Sequence, residues 1–180
     1  VDVGCNVISS LSGDGKSLLY VGTDGNGVHF VSTDKKKVVR SMRLETGKDE
    51  PLHSNSVYSV LVDKEGLIWV GFYQLGLDYT LYQSGLFSTY TYAPFFDSGD
   101  MPVRALAIEG KEKLIGSRDG LFYIDEENHR YKSFKVPQLR SNMIFSCLYY
   151  QNEYYIGTYG GGMYVDNPVT LTLREFAPDG

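Results

Sequence analysis

Four stretches of the chain repeat one another, and this repetition limits the fold more than any other feature. Tyr20-Val21-Gly22-Thr23, Trp69-Val70-Gly71-Phe72, Leu114-Ile115-Gly116-Ser117 and Tyr155-Ile156-Gly157-Thr158 read alike, with their glycines 49, 45 and 41 residues apart. A second glycine follows each: Gly27, Gly76, Gly120 and Gly162. An apolar residue, Ile8, Val57, Val103 or Ile144, stands 13 or 14 residues ahead of the first glycine. A period near 45 residues is that of blades in a β-propeller rather than of shorter solenoid repeats.

The second copy resolves most clearly into four strands: A over Val57 to Val62, B over Leu67 to Phe72, C over Gly76 to Thr80 and D over Phe87 to Tyr92. Turns at Asp63-Lys64-Glu65-Gly66 and near Gln83-Ser84-Gly85 separate A from B and C from D. Lys132-Ser133-Phe134 and Leu173-Arg174-Glu175-Phe176 read as further D strands. No stretch of 11 or more residues carries helical periodicity. Runs such as Val60-Leu61-Val62 and Leu121-Phe122-Tyr123-Ile124 are apolar throughout, as in sheets buried on both faces. The expected class is therefore all-β: four antiparallel four-stranded blades, near 5–52, 53–100, 101–140 and 141–180, forming an incomplete ring. Propellers use about 4 to 8 blades. Further blades of the same polypeptide, or a second chain, are the expected completion.

Two positions per repeat are small. One is the B-strand glycine; the other is Ser10, Ser59, Ala105 or Ser146 in strand A. Small residues at fixed places mark the close approach of another element, while glycines in a strand fit a β-bulge equally well.

Composition narrows the function. The net charge is −5, so no generic attraction to nucleic acid or anionic lipid is expected. Lys35-Lys36-Lys37 reads as a solvated turn. No apolar run approaches the ~18 residues of a membrane span, so this segment makes no membrane contact of that kind. Cys5 and Cys147 form no metal-binding spacing and read as small buried residues.

The second copy, from Ser54-Asn55-Ser56-Val57 through Asp63-Lys64-Glu65-Gly66-Leu67-Ile68-Trp69-Val70-Gly71, resembles the two-component regulator propeller repeat. Ser141-Asn142-Met143-Ile144 with Tyr155-Ile156-Gly157-Thr158-Tyr159-Gly160-Gly161-Gly162 matches in the fourth copy, and Asn6-Val7-Ile8 with Val21-Gly22-Thr23 in the first. The third departs most, with Pro102-Val103 in place of the Asn-containing start. The resemblance implies the extracytoplasmic, periplasmic sensor region of a membrane-anchored hybrid histidine kinase that detects oligosaccharides. The kinase itself would lie outside these residues. The competing reading is a propeller scaffold that holds a protein partner without signalling.

No catalytic constellation stands out. His29, His53 and His129 are scattered, the first placed in a C strand as packing and the others at the surface, and none has a partner at metal-ligand spacing. No metal or other cofactor is implied. Gly160-Gly161-Gly162 precedes a strand, whereas a phosphate loop opens a helix. Asp63-Lys64-Glu65, Lys111-Glu112-Lys113 and Asp125-Glu126-Glu127-Asn128 read as solubilising turns on one end of the blades. The B–C loops and D–A connectors emerge at the other end. They collect Asp24, Asn26, Tyr73, Gln74, Arg118, Asp119 and Tyr159, with Phe95, Phe96, Asp97, Arg104, Arg140 and Asn142. Aromatic faces cover sugar C–H surfaces, and amide, carboxylate and guanidinium groups match hydroxyls and carboxylates. The expected ligand residues are Tyr73, Arg104, Arg118, Tyr159, Asn26 and Gln74. Asn55 and Asn142, repeating at one position, fit a turn or cap role.

Overall fold

A computed structural model describes residues 1–44, 52–81, 88–90, 102–135 and 137–176. They form four antiparallel sheets, each a four-stranded meander in sequence order. The first sheet holds β1 (Ile8–Gly13), β2 (Leu18–Thr23), β3 (Gly27–Ser32) and β4 (Lys37–Met42). The second holds β5 (Val57–Val62), β6 (Leu67–Phe72), β7 (Leu77–Leu81) and β8 (Ser88–Thr89). In the third are β9 (Val103–Glu109), β10 (Glu112–Ser117), β11 (Leu121–Asp125) and β12 (Arg130–Phe134). The fourth has β13 (Ile144–Tyr150), β14 (Glu153–Thr158), β15 (Met163–Asn167) and β16 (Thr172–Glu175). Strands A and B of the second copy fall where the sequence places them; strand C begins at Leu77 rather than Gly76, which takes a positive φ of 71°. The turn near Gln83 to Gly85, and Phe87, Thr91 and Tyr92 of the expected D strand, lie outside the described residues.

The chain divides into two compact units, one built on the first two sheets and one on the last two. In the first unit the two sheets bury Tyr20, Val28, Phe30, Met42, Val57, Val60, Ile68, Val70 and Phe72 in one core. In the second they bury Ala105, Ala107, Leu114, Leu121, Tyr123, Ile144, Tyr154, Ile156 and Tyr164. Within each unit one sheet packs on the other, and the apolar runs supply that buried seam.

The repeated small residues are cross-strand partners: Ser10 pairs with Gly22, Ser59 with Gly71, Ala105 with Gly116 and Ser146 with Gly157. In the first and third sheets this pair forms a shallow socket that receives the start of the next A strand. A Cβ on Gly22 would stand 2.9 Å from Val57 Cγ1, and one on Gly116 only 2.5 Å from Ile144 Cγ2. Close approach therefore explains Gly22 and Gly116. The bulge is real as well but sits in strand A. Pairing skips Ser9, Tyr58, Arg104 and Phe145, leaving one unpaired residue between the first two rungs.

Other motif positions have local causes. Asp63 Oδ1 accepts from the Glu65 and Leu67 amides at 2.9 Å, and its Oδ2 accepts from Trp69 Nε1 at 2.7 Å. One carboxylate thus closes the A–B turn and anchors the tryptophan. Asn55 acts as a clasp: its side chain accepts from Leu44 N at 2.7 Å, and its carbonyl accepts from Gly25 and Gly27 N.

Two expectations about polar residues are corrected. Asp125 and Lys113 are buried rather than solubilising. Asp125 accepts from Asn128 and from Arg130 at 2.8 Å, and Lys113 reaches Glu126 at 3.0 Å. Burial works to raise the Asp125 pKa, but the Asn128 and Arg130 hydrogen bonds outweigh it and hold the carboxyl low. The cysteines are half-buried, and desolvation pushes the Cys147 thiol up.

Candidate functional site

The bulge in strand A creates the site. A bulged residue leaves the ladder and its side chain is re-aimed, here to the end of the sheet where the B–C loop begins. That loop is fixed above it by one backbone bond in three copies. Asp24 N donates to Val7 O at 3.1 Å, Tyr73 N to Ser56 O at 3.2 Å and Tyr159 N to Met143 O at 2.8 Å. The bulged residue and the first loop residue are therefore neighbours wherever the repeat is complete.

In the second sheet this neighbourhood is aromatic: the Tyr58 and Tyr73 rings lie 5.0 Å apart and tilted by 52°. In the fourth sheet Phe145 and Tyr159 meet at 5.6 Å, and Arg104 of the third sheet places its guanidinium carbon 5.1 Å from the Phe145 centroid. Arg104, Phe145 and Tyr159 thus form one cation–aromatic ladder in the second unit, with Tyr159 66% exposed. Gly160, with a φ of 71°, opens the loop behind that ring, which no adjacent side chain on the glycine covers. The first sheet is polar at the same place: Ser9 Oγ donates to Val57 O at 2.5 Å, and Ser56 hydrogen-bonds Asp24.

The remaining expected residues behave differently. Arg118 stands at the loop position of Tyr73 and Tyr159, exposed, with Nε 3.7 Å from Asp119 Oδ1. Such a surface pair contributes about 0–1 kcal/mol and leaves the guanidinium accessible. Asn26 spends its amide on Val3 O at 2.7 Å, tying the N-terminal segment to the first sheet. Gln74 is exposed in the loop after Tyr73. Tyr73, Gln74 and Asn26 belong to the first unit; Arg104, Arg118 and Tyr159 belong to the second. Phe95, Phe96 and Asp97 lie outside the described residues.

Sequence reading missed Tyr58 and Phe145, although both stand at the position where Arg104 was singled out. The signal was available in the alternation of Ser9, Tyr58, Arg104 and Phe145 at one repeat position. His53 is exposed, as the sequence places it, but nothing in the sequence pattern gives its buried partner. His53 Nδ1 lies 2.7 Å from the fully buried Asp78 carboxylate, supplying the partner that a buried acid requires. His29 packs in β3 as expected, its Nδ1 2.8 Å from Ser41 Oγ, and burial, with Arg43 nearby, lowers its pKa. Among the described residues, no three His, Cys, Asp or Glu side chains converge as a metal ion would need.

Comparisons with known proteins agree with this architecture. Residues 51–74 match the family model described as two component regulator propeller. No curated protein sequence matches the chain. The extracellular domain assigned to a hybrid two component system, BT3049 from B. thetaiotaomicron, is similar over 97% of this chain with a TM-score of 0.68 and 19% identity. The extracellular domain of BT4673 from B. thetaiotaomicron, assigned to a one component system in one structure and to a hybrid two component system in another, is similar over 96% of this chain with a TM-score of 0.70 and 23% and 22% identity. The chain spans 25% and 22% of those two domains, about a quarter of their length. The computationally designed Ika4 protein is similar over 90% of this chain and 92% of its own, with a TM-score of 0.61 and 13% identity.

Proposed function

We propose that these residues are a ligand-sensing segment of an extracytoplasmic two-component sensor, and that the ligand is an oligosaccharide bound at the B–C loop end of the sheets. The matched repeat and the similarity to extracellular domains of two component systems support a sensor propeller. The observation that carries the ligand class is the ladder of Arg104, Phe145 and Tyr159. It presents a wide, exposed aromatic face beside a cation. Pyranose rings offer C–H faces to aromatic rings, and a guanidinium donates in pairs to vicinal hydroxyls or to a uronic carboxylate. Tyr73 with Gln74 offers a second aromatic and amide pair in the other unit. Membrane anchoring and a kinase output would be supplied by sequence beyond these residues.

Titration calorimetry with a panel of neutral and acidic oligosaccharides tests the reading. Tyr159→Ala and Arg104→Ala are each expected to weaken the best binder at least tenfold, about 1.4 kcal/mol, while leaving the circular dichroism spectrum unchanged. Arg104→Ala should weaken acidic sugars more than neutral ones. Undiminished binding by both folded variants would overturn the site assignment.

A further inference from the structure

The connector between β12 and β13 carries two cations and is held in place along its length. Gln138 N donates to Lys135 O at 2.8 Å, closing a turn directly after β12. Leu139 is fully buried in the core of the second unit. Arg140 N donates to the Tyr164 hydroxyl at 2.8 Å. Lys135 and Arg140 themselves stay exposed. Each side chain lies against a B–C loop. A Cβ on Gly120, in the loop of the third sheet, would stand 3.0 Å from Lys135 Cγ. Arg140 Nη2 meets Glu175 Oε2 at 2.8 Å, and the other oxygen of Glu175 is 3.8 Å from where a Cβ on Gly162 would stand, in the loop of the fourth sheet.

The connector thus joins the loops that carry Arg118 and Tyr159, and it leads into the bulge that carries Phe145. Arg104, Arg118, Lys135 and Arg140 gather at this end of the second unit, against the carboxylates of Asp119 and Glu175 among the described residues. Both carboxylates pair with cations already in the set, Asp119 with Arg118 at 3.7 Å and Glu175 with Arg140 at 2.8 Å. Exposed pairs of this kind hold weakly, so either guanidinium can exchange its partner for an anion on a ligand. The opposite end of the same two sheets has the reverse balance. Glu109, Glu112, Glu126 and Glu127 outnumber Lys111 and Lys113 there, and Arg130 is held by the buried Asp125 at 2.8 Å. The whole chain carries −5, so the cationic end is a local field rather than an overall excess.

Resting on the oligosaccharide reading above, we propose that the ligand at this end is an anionic oligosaccharide, bearing uronate carboxylates or sulfate esters, and that Arg118, Lys135 and Arg140 select it. The parts divide the task. Phe145 and Tyr159 offer their faces to a sugar ring, a contact that neutral and charged sugars share. A guanidinium donates in pairs to carboxylate or sulfate oxygens, and an ammonium serves either as a point charge. A neutral sugar leaves the same cations to water and to their own carboxylates, and gains nothing from their charge. A bare polyanion meets the charge but has no C–H face for the rings.

Titration calorimetry of the 180-residue chain tests this with neutral galactotetraose, tetragalacturonate, a sulfated galactose tetrasaccharide and inorganic tetraphosphate. In about 50 mM salt the better anionic sugar is expected to bind at least tenfold more tightly than galactotetraose, and about 500 mM salt should cut that ratio at least threefold. Arg118→Gln, Lys135→Gln and Arg140→Gln change exposed side chains and should keep the parent's far-ultraviolet circular dichroism. Each is expected to lower the anionic-to-neutral ratio at least threefold, and the triple variant should abolish it. Tightest binding of tetragalacturonate supports the inference and assigns a uronate; tightest binding of the sulfated sugar supports it and assigns a sulfate ester. Galactotetraose that binds as tightly as both, and loses affinity in Tyr159→Ala, overturns the inference and leaves the oligosaccharide reading standing. Binding of none of the three sugars overturns both. A folded triple variant that still favours anionic sugars overturns the inference as well. So does tetraphosphate that binds as tightly as the anionic sugars and is unaffected by Tyr159→Ala, since charge alone would then suffice.

Discussion

Asp166 should make the second unit more stable in acid than at neutral pH, against the usual direction for a carboxylate. It lies on β15 between Tyr154 of β14 and Leu173 of β16, fully buried. Neither carboxylate oxygen has a hydrogen-bond partner among the described residues. Burial raises its pKa from 3.8 to about 6; Lys132 pulls the other way, but its Nζ donates to Leu171 O at 2.7 Å. A raised acid pKa means that the folded state holds the proton longer than the unfolded state. Its contribution is therefore greatest below pH 4, declines as pH rises from about 4 to 6, and stays lost above that. A gap of about two units corresponds to about 3 kcal/mol at 1.36 kcal/mol per unit. The perturbation is Asp166→Leu, which keeps the volume and removes the charge. Urea unfolding followed by tyrosine near-ultraviolet circular dichroism at pH 4, 5, 6 and 7 gives the comparison. Trp69 would report the wrong unit. The variant's advantage over the parent should grow by about 3 kcal/mol between pH 4 and pH 7. The difference between the two proteins is the readout because acids with lowered pKa values, Asp14 and Asp125, push the raw curve in the opposite direction. An advantage that does not change with pH would refute the reasoning.

Gly116→Ala should destabilise the second unit by about 1–3 kcal/mol, the cost of overpacking, because Ile144 Cγ2 already occupies the space of the new methyl. Gly13→Ala, with its nearest neighbour 3.8 Å away, is the control; in urea unfolding it should be neutral or gain up to about 1 kcal/mol. Trp69→Phe removes the donor to Asp63 Oδ2 and should cost about 1.5–3 kcal/mol by urea unfolding followed by far-ultraviolet circular dichroism; a loss below about 0.5 kcal/mol would mean that the bond does not matter.

How much of this was readable beforehand depends on what repeats. Strand positions follow from apolar runs and glycines spaced once per blade, and β5 and β6 fall where those signals place them. The packing cause of the B-strand glycines could not be read, because a bulge and a close approach both select glycine in a strand. The distinction lies in register and in the next sheet, which sequence spacing does not contain. The buried charges failed for a related reason. Asp125 and Lys113 look like turn residues because turns adjoin them, but their strands run one residue further and turn those side chains inward. Asp78 and His53 lie 25 residues apart, and no local pattern connects them.

The repeat also explains where variation can be used for binding. At Val57 and Ile144 the residue before the bulge is held against the glycine of the preceding sheet, and the residue after each bulge pairs with its own B-strand glycine. Replacing either disturbs a seam. The bulged residue between them answers to neither constraint: its side chain leaves the sheet at the loop end, and the ladder does not count it. Ser9, Tyr58, Arg104 and Phe145 differ in charge, size and polarity at that one position, while their neighbours stay small or apolar. A fold that fixes two positions and frees the one between them can change its ligand without repacking its core. This is the physical reason to look for specificity at Arg104, Phe145 and Tyr159 rather than along the strands.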